Sequence, residues 1–113
     1  MNYQKELLCL DHPIHLGGYT RLSPIKIIRL EAERNYTYIH LDTGHKTLIS
    51  VTLKRVEELL RPSGLFIRVN RKDAVNVNYI QQWNSDGTLI LKNGELIIPS
   101  RRRINRLRLP PRF

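Results

Sequence analysis

Between Phe66 and Ile80 the chain runs Phe-Ile-Arg-Val-Asn-Arg-Lys-Asp-Ala-Val-Asn-Val-Asn-Tyr-Ile, with Asn70, Arg71 and Lys72 near its centre. A guanidinium can fork onto a guanine edge or a phosphate. An Asn amide offers one donor and one acceptor that together match adenine. The flanking residues alternate, Phe66 to Val69 before the break and Val75, Val77 and Tyr79 after it, with Asn76 and Asn78 on the opposite face. This pattern predicts two strands joined by a polar loop, and a loop on a rigid scaffold presents its donors outward. The chain carries 19 Lys+Arg against 10 Asp+Glu, for a net charge of +9 and a pI near 10.2. Such a balance implies a polyanionic partner, with nucleic acid the first candidate.

The charge is uneven. Arg101, Arg102, Arg103, Arg106, Arg108 and Arg112 crowd the C-terminus with no acid among them. Like charges so close repel one another unless a polyanion neutralises them. An acidic membrane surface ranks below nucleic acid, because the segment has only Ile104, Leu107, Leu109 and Phe113 as apolar residues and lacks the Trp/Phe-rich face of an interfacial helix. A polar turn at Glu33-Arg34-Asn35 is a further candidate contact, weighed against an ordinary connection, since Asn is common in turns. Tyr36, Tyr38, Phe66, Tyr79 and Trp83 are read as core or rim residues before base-stacking platforms. Arg68 and Asn76, at the strand edges, are read as fixing the loop by hydrogen bonds.

Catalysis finds little support. His12 and His15 share a turn with only Asp11 as a possible co-ligand, and His40 and His45 flank a hairpin. None of the serines sits in a nucleophile elbow, and Gly17-Gly18 lacks the Lys and following helix of a phosphate cradle. We expect no enzyme, cofactor, metal or small-molecule substrate. Cys9 is the only cysteine and cannot form an intrachain disulfide. No apolar run approaches the ~18 residues of a membrane span, and Met1 to Leu10 lacks the core of a signal peptide, so a cytoplasmic protein without membrane contact is expected.

At 113 residues the chain forms one domain that can close a core without staples. Ile14 to Leu16, Ile25 to Ala32, Tyr36 to Leu41 and Lys46 to Val51 read as strands, with Asp42-Thr43-Gly44 as a hairpin loop. Thr52 is a good N-cap for a helix over about 52–61. Leu53, Val56, Leu59 and Leu60 make its apolar stripe, Val51 and Val56 can form a staple, and Pro62 and Gly64 stop it. Thr88 to Lys92 and Glu95 to Pro99 read as a hairpin whose Asn93-Gly94 predicts a two-residue turn with positive φ at both positions. The fold class is mainly β, antiparallel, with one short amphipathic helix.

The segment Phe66-x-Arg68-x-Asn70-Arg71-Lys72-x-x-Val75-Asn76 resembles the hallmark of the LytTR DNA-binding domain, the output module of many bacterial response regulators. Ile25 to Ala32 with Asn35 to Leu41 resembles that family's opening strand pair, Thr52 to Leu60 its short helix, and Ile97 to Arg102 its closing strand and arginine. The chain departs from the family pattern at Asn70, Lys72 and Asp73.

The resemblance implies a LytTR-like domain over 15–108, between an N-terminal arm (1–14) and a C-terminal tail (109–113). It implies a transcriptional regulator that inserts loops from a β scaffold into the major groove of double-stranded DNA. Two domains would occupy imperfect direct repeats, with at most a weak homodimer on DNA. It assigns base reading to Arg71, Arg101 and Asn35, and the basic loops themselves offer Arg34, Asn70, Lys72, Arg102 and Arg103 as further contacts. A receiver domain does not fit before Ile25, so a stand-alone regulator is expected rather than an excised piece. The alternatives are an RNA- or single-strand-binding β module, or a basic non-catalytic module for a protein partner or membrane surface.

Overall fold

The apolar residues of Ile27-Ile28-Arg29-Leu30 bury on both sides of one strand, which places that strand between two covering layers. The structure, a computed structural model, describes residues 11–103. In it β3 (Ile27–Glu33) pairs antiparallel with β4 (Tyr36–Leu41) and β7 (Asp73–Asn76), and β5 (Lys46–Ile49) and β6 (Phe66–Arg68) form the outer strands. A bulge between Ile27 and Arg29 breaks the alternation of β3. Ile27 and Leu30 therefore join one core with Leu16, Ile39 and Ile49, while Ile28 joins a second with Val69, Val75 and Leu89.

Each core has its own cover. Helix α1 (Leu53–Leu60) closes the first with Leu53, Val56 and Leu60, and the hairpin of β1 (Ile14–Gly17) and β2 (Thr20–Leu22) adds Leu16. Thr52 caps α1, its hydroxyl accepting from the Arg55 N–H at 3.3 Å. Val51 packs against the cluster that contains Val56, as a staple requires. The chain leaves α1 through a 3₁₀ turn at Arg61–Ser63 and reverses at Gly64, φ 66. The three-stranded sheet of β8 (Ile80–Trp83), β9 (Leu89–Leu91) and β10 (Leu96–Ile97) covers the second core.

Val77–Tyr79 forms a 3₁₀ turn, not a continuation of β7. Asn76 is fully buried and its Oδ1 accepts from the Asn78 N–H at 2.9 Å, a local bond that pulls the chain out of the ladder. Pro24–Lys26 is also a 3₁₀ turn, so β3 starts at Ile27; β2 was not anticipated at all. The strands expected over Thr88–Lys92 and Glu95–Pro99 shrink to β9 and β10, because the residues after Ile97 bond to another segment.

The turn at Asn93-Gly94 is a three-residue connection. Gly94 N–H donates to Leu91 O and Leu91 N–H to Glu95 O, both at 2.9 Å, and Gly94 alone has positive φ, 91°. Asn93 stays out of the left-handed region and its Oδ1 accepts from the Glu95 N–H at 3.1 Å. The same arrangement recurs with Gly44 and Gly87. A Cβ on Gly94 would meet nothing within 4 Å, so the penalty of Gly94→Val is backbone strain alone. We expect it to cost about 1–2 kcal/mol, read as a lower urea midpoint at unchanged slope.

Candidate nucleic-acid interface

The loop after β6 is built by its own side chains. Asn70 Oδ1 accepts from the N–H groups of both Lys72 and Asp73 at 2.7 Å, and its Nδ2 donates to Asp73 Oδ2 at 3.1 Å and Ile98 O at 3.0 Å. Arg68 holds the loop from below: Nε donates to Asn70 O at 2.8 Å, one terminal nitrogen to Arg71 O at 2.6 Å, and the other to Glu57 of α1 at 2.6 Å. Every hydrogen-bonding atom of the Asn70 amide oxygen and nitrogen is thus engaged inside the protein. Arg71 and Lys72, raised on this frame, are exposed.

Two other segments converge on the loop. Ala32 N–H donates to Lys72 O at 2.7 Å and Ser100 N–H to Val69 O at 2.9 Å. The result is an open groove of about 740 Å³ whose lining includes Glu33 and Arg34, the Asn70–Asp73 loop, and Ile98 to Ser100. Arg34 forms the two-residue hairpin between β3 and β4 with Asn35, and it is the only described non-glycine residue at positive φ, 56°. Holding an arginine there costs on the order of 1 kcal/mol, a strain that tends to persist where a side chain must point in a set direction.

Beneath the groove the acids are tied to cations. Arg29, 9% exposed, reaches Asp73 Oδ1 and Glu95 Oε2, each at 2.9 Å, and lies 3.6 Å from Glu31. Glu31 also meets His40 at 2.9 Å and Lys72 Nζ at 3.5 Å. Burial by itself would lower the Arg29 pKa, but the Glu95 hydrogen bond and the charges of Glu95, Asp73 and Glu31 outweigh it and raise it. The Arg29 hydrogen bond, opposed by burial, lowers the Glu95 carboxyl below its ordinary value. Burial pushes Glu31 up, and the His40 hydrogen bond with the charges of Arg29, His40 and Lys72 brings it below its ordinary value. Within the described residues the side chains of Arg34 and Arg71 enter no ion pair. Glu33, exposed in the same lining, also enters no ion pair among the described residues, so the rim sets Arg34, Arg71 and Lys72 against one free carboxylate and is cationic on balance.

The structure brings Arg34, Asn70, Arg71 and Lys72 to one groove. Asn35 is exposed in the same hairpin as Arg34 but does not line the groove. Arg101–Arg103, where the resemblance implied a closing strand and its arginine, adopt helical conformation, with Ser100 Oγ accepting from the Arg103 N–H at 3.2 Å. Ser100 is the last lining residue, so Arg101 and Arg102 continue from the rim, exposed, and Arg103 is half-buried. Arg106, Arg108, Arg112 and Cys9 lie outside the described residues. Arg68 holds the loop as expected. Asn76 does not: its Nδ2 donates to Ile27 O at 2.9 Å, on the far side of β7. Sequence reasoning missed Arg29, Glu57 and Asp73. The available signal was a charged residue inside the apolar run Ile27 to Leu30.

Among the described residues no helix is long and apolar enough to cross a membrane, and no cluster of His, Cys, Asp and Glu could hold a metal ion. The model of the LytTr DNA-binding domain family matches residues 17–109. Among solved structures, the chain is similar to the LytTr DNA-binding domain of a Bacillus cereus protein described as a methyl-accepting/DNA response regulator. The two share 27% identity and a TM-score of 0.69, over 85% of this chain and 91% of that one. No curated protein matches the chain. With its antiparallel sheets, short helix and cationic groove, the chain belongs to the LytTr DNA-binding domain family, the DNA-binding output domains of transcription regulators.

Proposed function

We propose that this domain recognises a specific sequence in double-stranded DNA, in the cytoplasm, by presenting the groove loops to the major groove. The observation that carries this reading is the convergence of three separate segments on one rim where Arg34 and Arg71 are uncommitted while the nearby acids Glu31 and Asp73 are neutralised from within. Arg71 and Arg101 fork onto guanine edges, and Asn35 makes a weaker base contact. Arg34, Lys72, Arg102 and Arg103 meet phosphates. Asn70 serves as the frame of the loop, because its amide is already saturated. Two domains bind imperfect direct repeats, and the domain acts without catalysis.

Selection of bound duplexes from a random pool tests this directly: a recovered motif supports it, and no enrichment would leave only a charge-driven association. The affinity for the recovered duplex should fall with salt at a log–log slope of about −4 to −6, the release expected from ~5–7 neutralised phosphates. A slope shallower than about −2 would remove the polyanion argument. Arg103→Ala should flatten the slope by at most ~1 and leave the motif unchanged.

A further inference from the structure

We propose that Ile98 reads the 5-methyl group of a thymine, a specificity contact that rests on the DNA reading above. Ile98 is 67% exposed, yet it lines a groove whose other exposed side chains are charged, Arg34, Arg71 and Lys72 with Glu33. Its exposure is built in. Ile97 before it is 6% exposed in the second core, and Pro99 after it is buried. Its own carbonyl is pinned by Asn70 Nδ2 at 3.0 Å, and the next N–H along, that of Ser100, is bonded to Val69 O at 2.9 Å. The backbone is fixed on both sides, and a β-branched side chain has few rotamers to choose from. The groove thus displays a rigid apolar knob among charged side chains that are cationic on balance.

Phosphates and the hydrogen-bonding edges of bases gain nothing from such a knob. In the major groove the one apolar feature of the base edges is the thymine methyl, and an aliphatic side chain is its natural complement. The Asn70 amide also links the knob to the Arg71 loop, so a thymine read by Ile98 falls at a set distance from whatever Arg71 contacts.

The test replaces, one at a time, each thymine of the duplex recovered by selection with deoxyuridine, which removes only the methyl. The wild-type domain should lose about fourfold in affinity at one thymine, the weight of one buried methyl. Ile98→Ala should bind the unmodified duplex about fourfold more weakly and be indifferent to the same replacement. Indifference of the wild-type domain at every thymine would overturn the inference, as would an Ile98→Ala variant that keeps the full methyl sensitivity. Both results leave the DNA reading standing. Equal affinity for the selected and a scrambled duplex would instead remove the DNA reading, and the role of Ile98 with it. Since Ile98 is exposed, the variant should fold with an unchanged thermal midpoint.

Discussion

Arg29→Ala is expected to cost about 2–3 kcal/mol of stability, the penalty for leaving three half-buried carboxylates without the buried cation that pairs them, smaller than for a fully buried pair because water reaches the carboxylates. Domains of this kind hold only about 5–15 kcal/mol in total. Arg29 links Asp73 at the start of β7 to Glu95 of the β9–β10 hairpin, and it also faces Glu31. Without it, three carboxylates crowd one side of β3. Arg29→Lys keeps the charge but cannot fork to two carboxylates, so it should recover only part of the loss. The pH dependence follows from the lowered values of Glu31 and Glu95. A carboxyl whose folded value is depressed contributes stability that is complete above its unfolded value, about 4.3 for Glu, and lost as pH falls through the lower folded value. The gap between wild type and Arg29→Ala should therefore be widest near neutral pH and narrow below about pH 4. Urea unfolding across pH 3–7 reads this, and a gap that widens on acidification would contradict the assignment.

Arg71→Ala and Arg101→Ala should each lose ~1–3 kcal/mol on the selected duplex, roughly fivefold to 150-fold in affinity, and little on random DNA. Neither change should affect folding, since both side chains are exposed. Arg68→Ala provides the contrast. It removes the support under Asn70 and Arg71 as well as the Glu57 pair, so it should lower stability and specific binding together. Asn35→Ala should act on the selected duplex alone, but more weakly, because a neutral amide makes no charge-assisted bond.

The basic loop between β6 and β7, the capped helix and the hairpin at Asp42-Thr43-Gly44 were all legible, because each is written in a local pattern of alternation, capping or turn residues. The family resemblance supplied the order of the elements. What stayed hidden depends on contacts distant in sequence. Nothing local says that Asn70 bonds Ile98, 28 residues away, or that Ile98–Ser100 leave β10 for that purpose. Asn76 shows the converse limit. Strand alternation predicted an extended Val77–Tyr79, and a single buried amide overrode it. Arg29 was invisible as the hub beneath the groove because its partners Asp73 and Glu95 lie 44 and 66 residues away.

The central claim is that exposed arginines of this interface read bases as well as hold phosphates. Arg71→Lys and Arg101→Lys test it most directly, because each keeps the charge and discards the planar fork. The quantity to measure is the ratio of affinities for the selected and a random duplex at one fixed salt concentration. The ratio is predicted to fall by roughly fivefold or more for each variant while random-duplex affinity stays the same. If both variants keep the wild-type ratio, Arg71 and Arg101 touch only phosphate, and base reading by these arginines is contradicted.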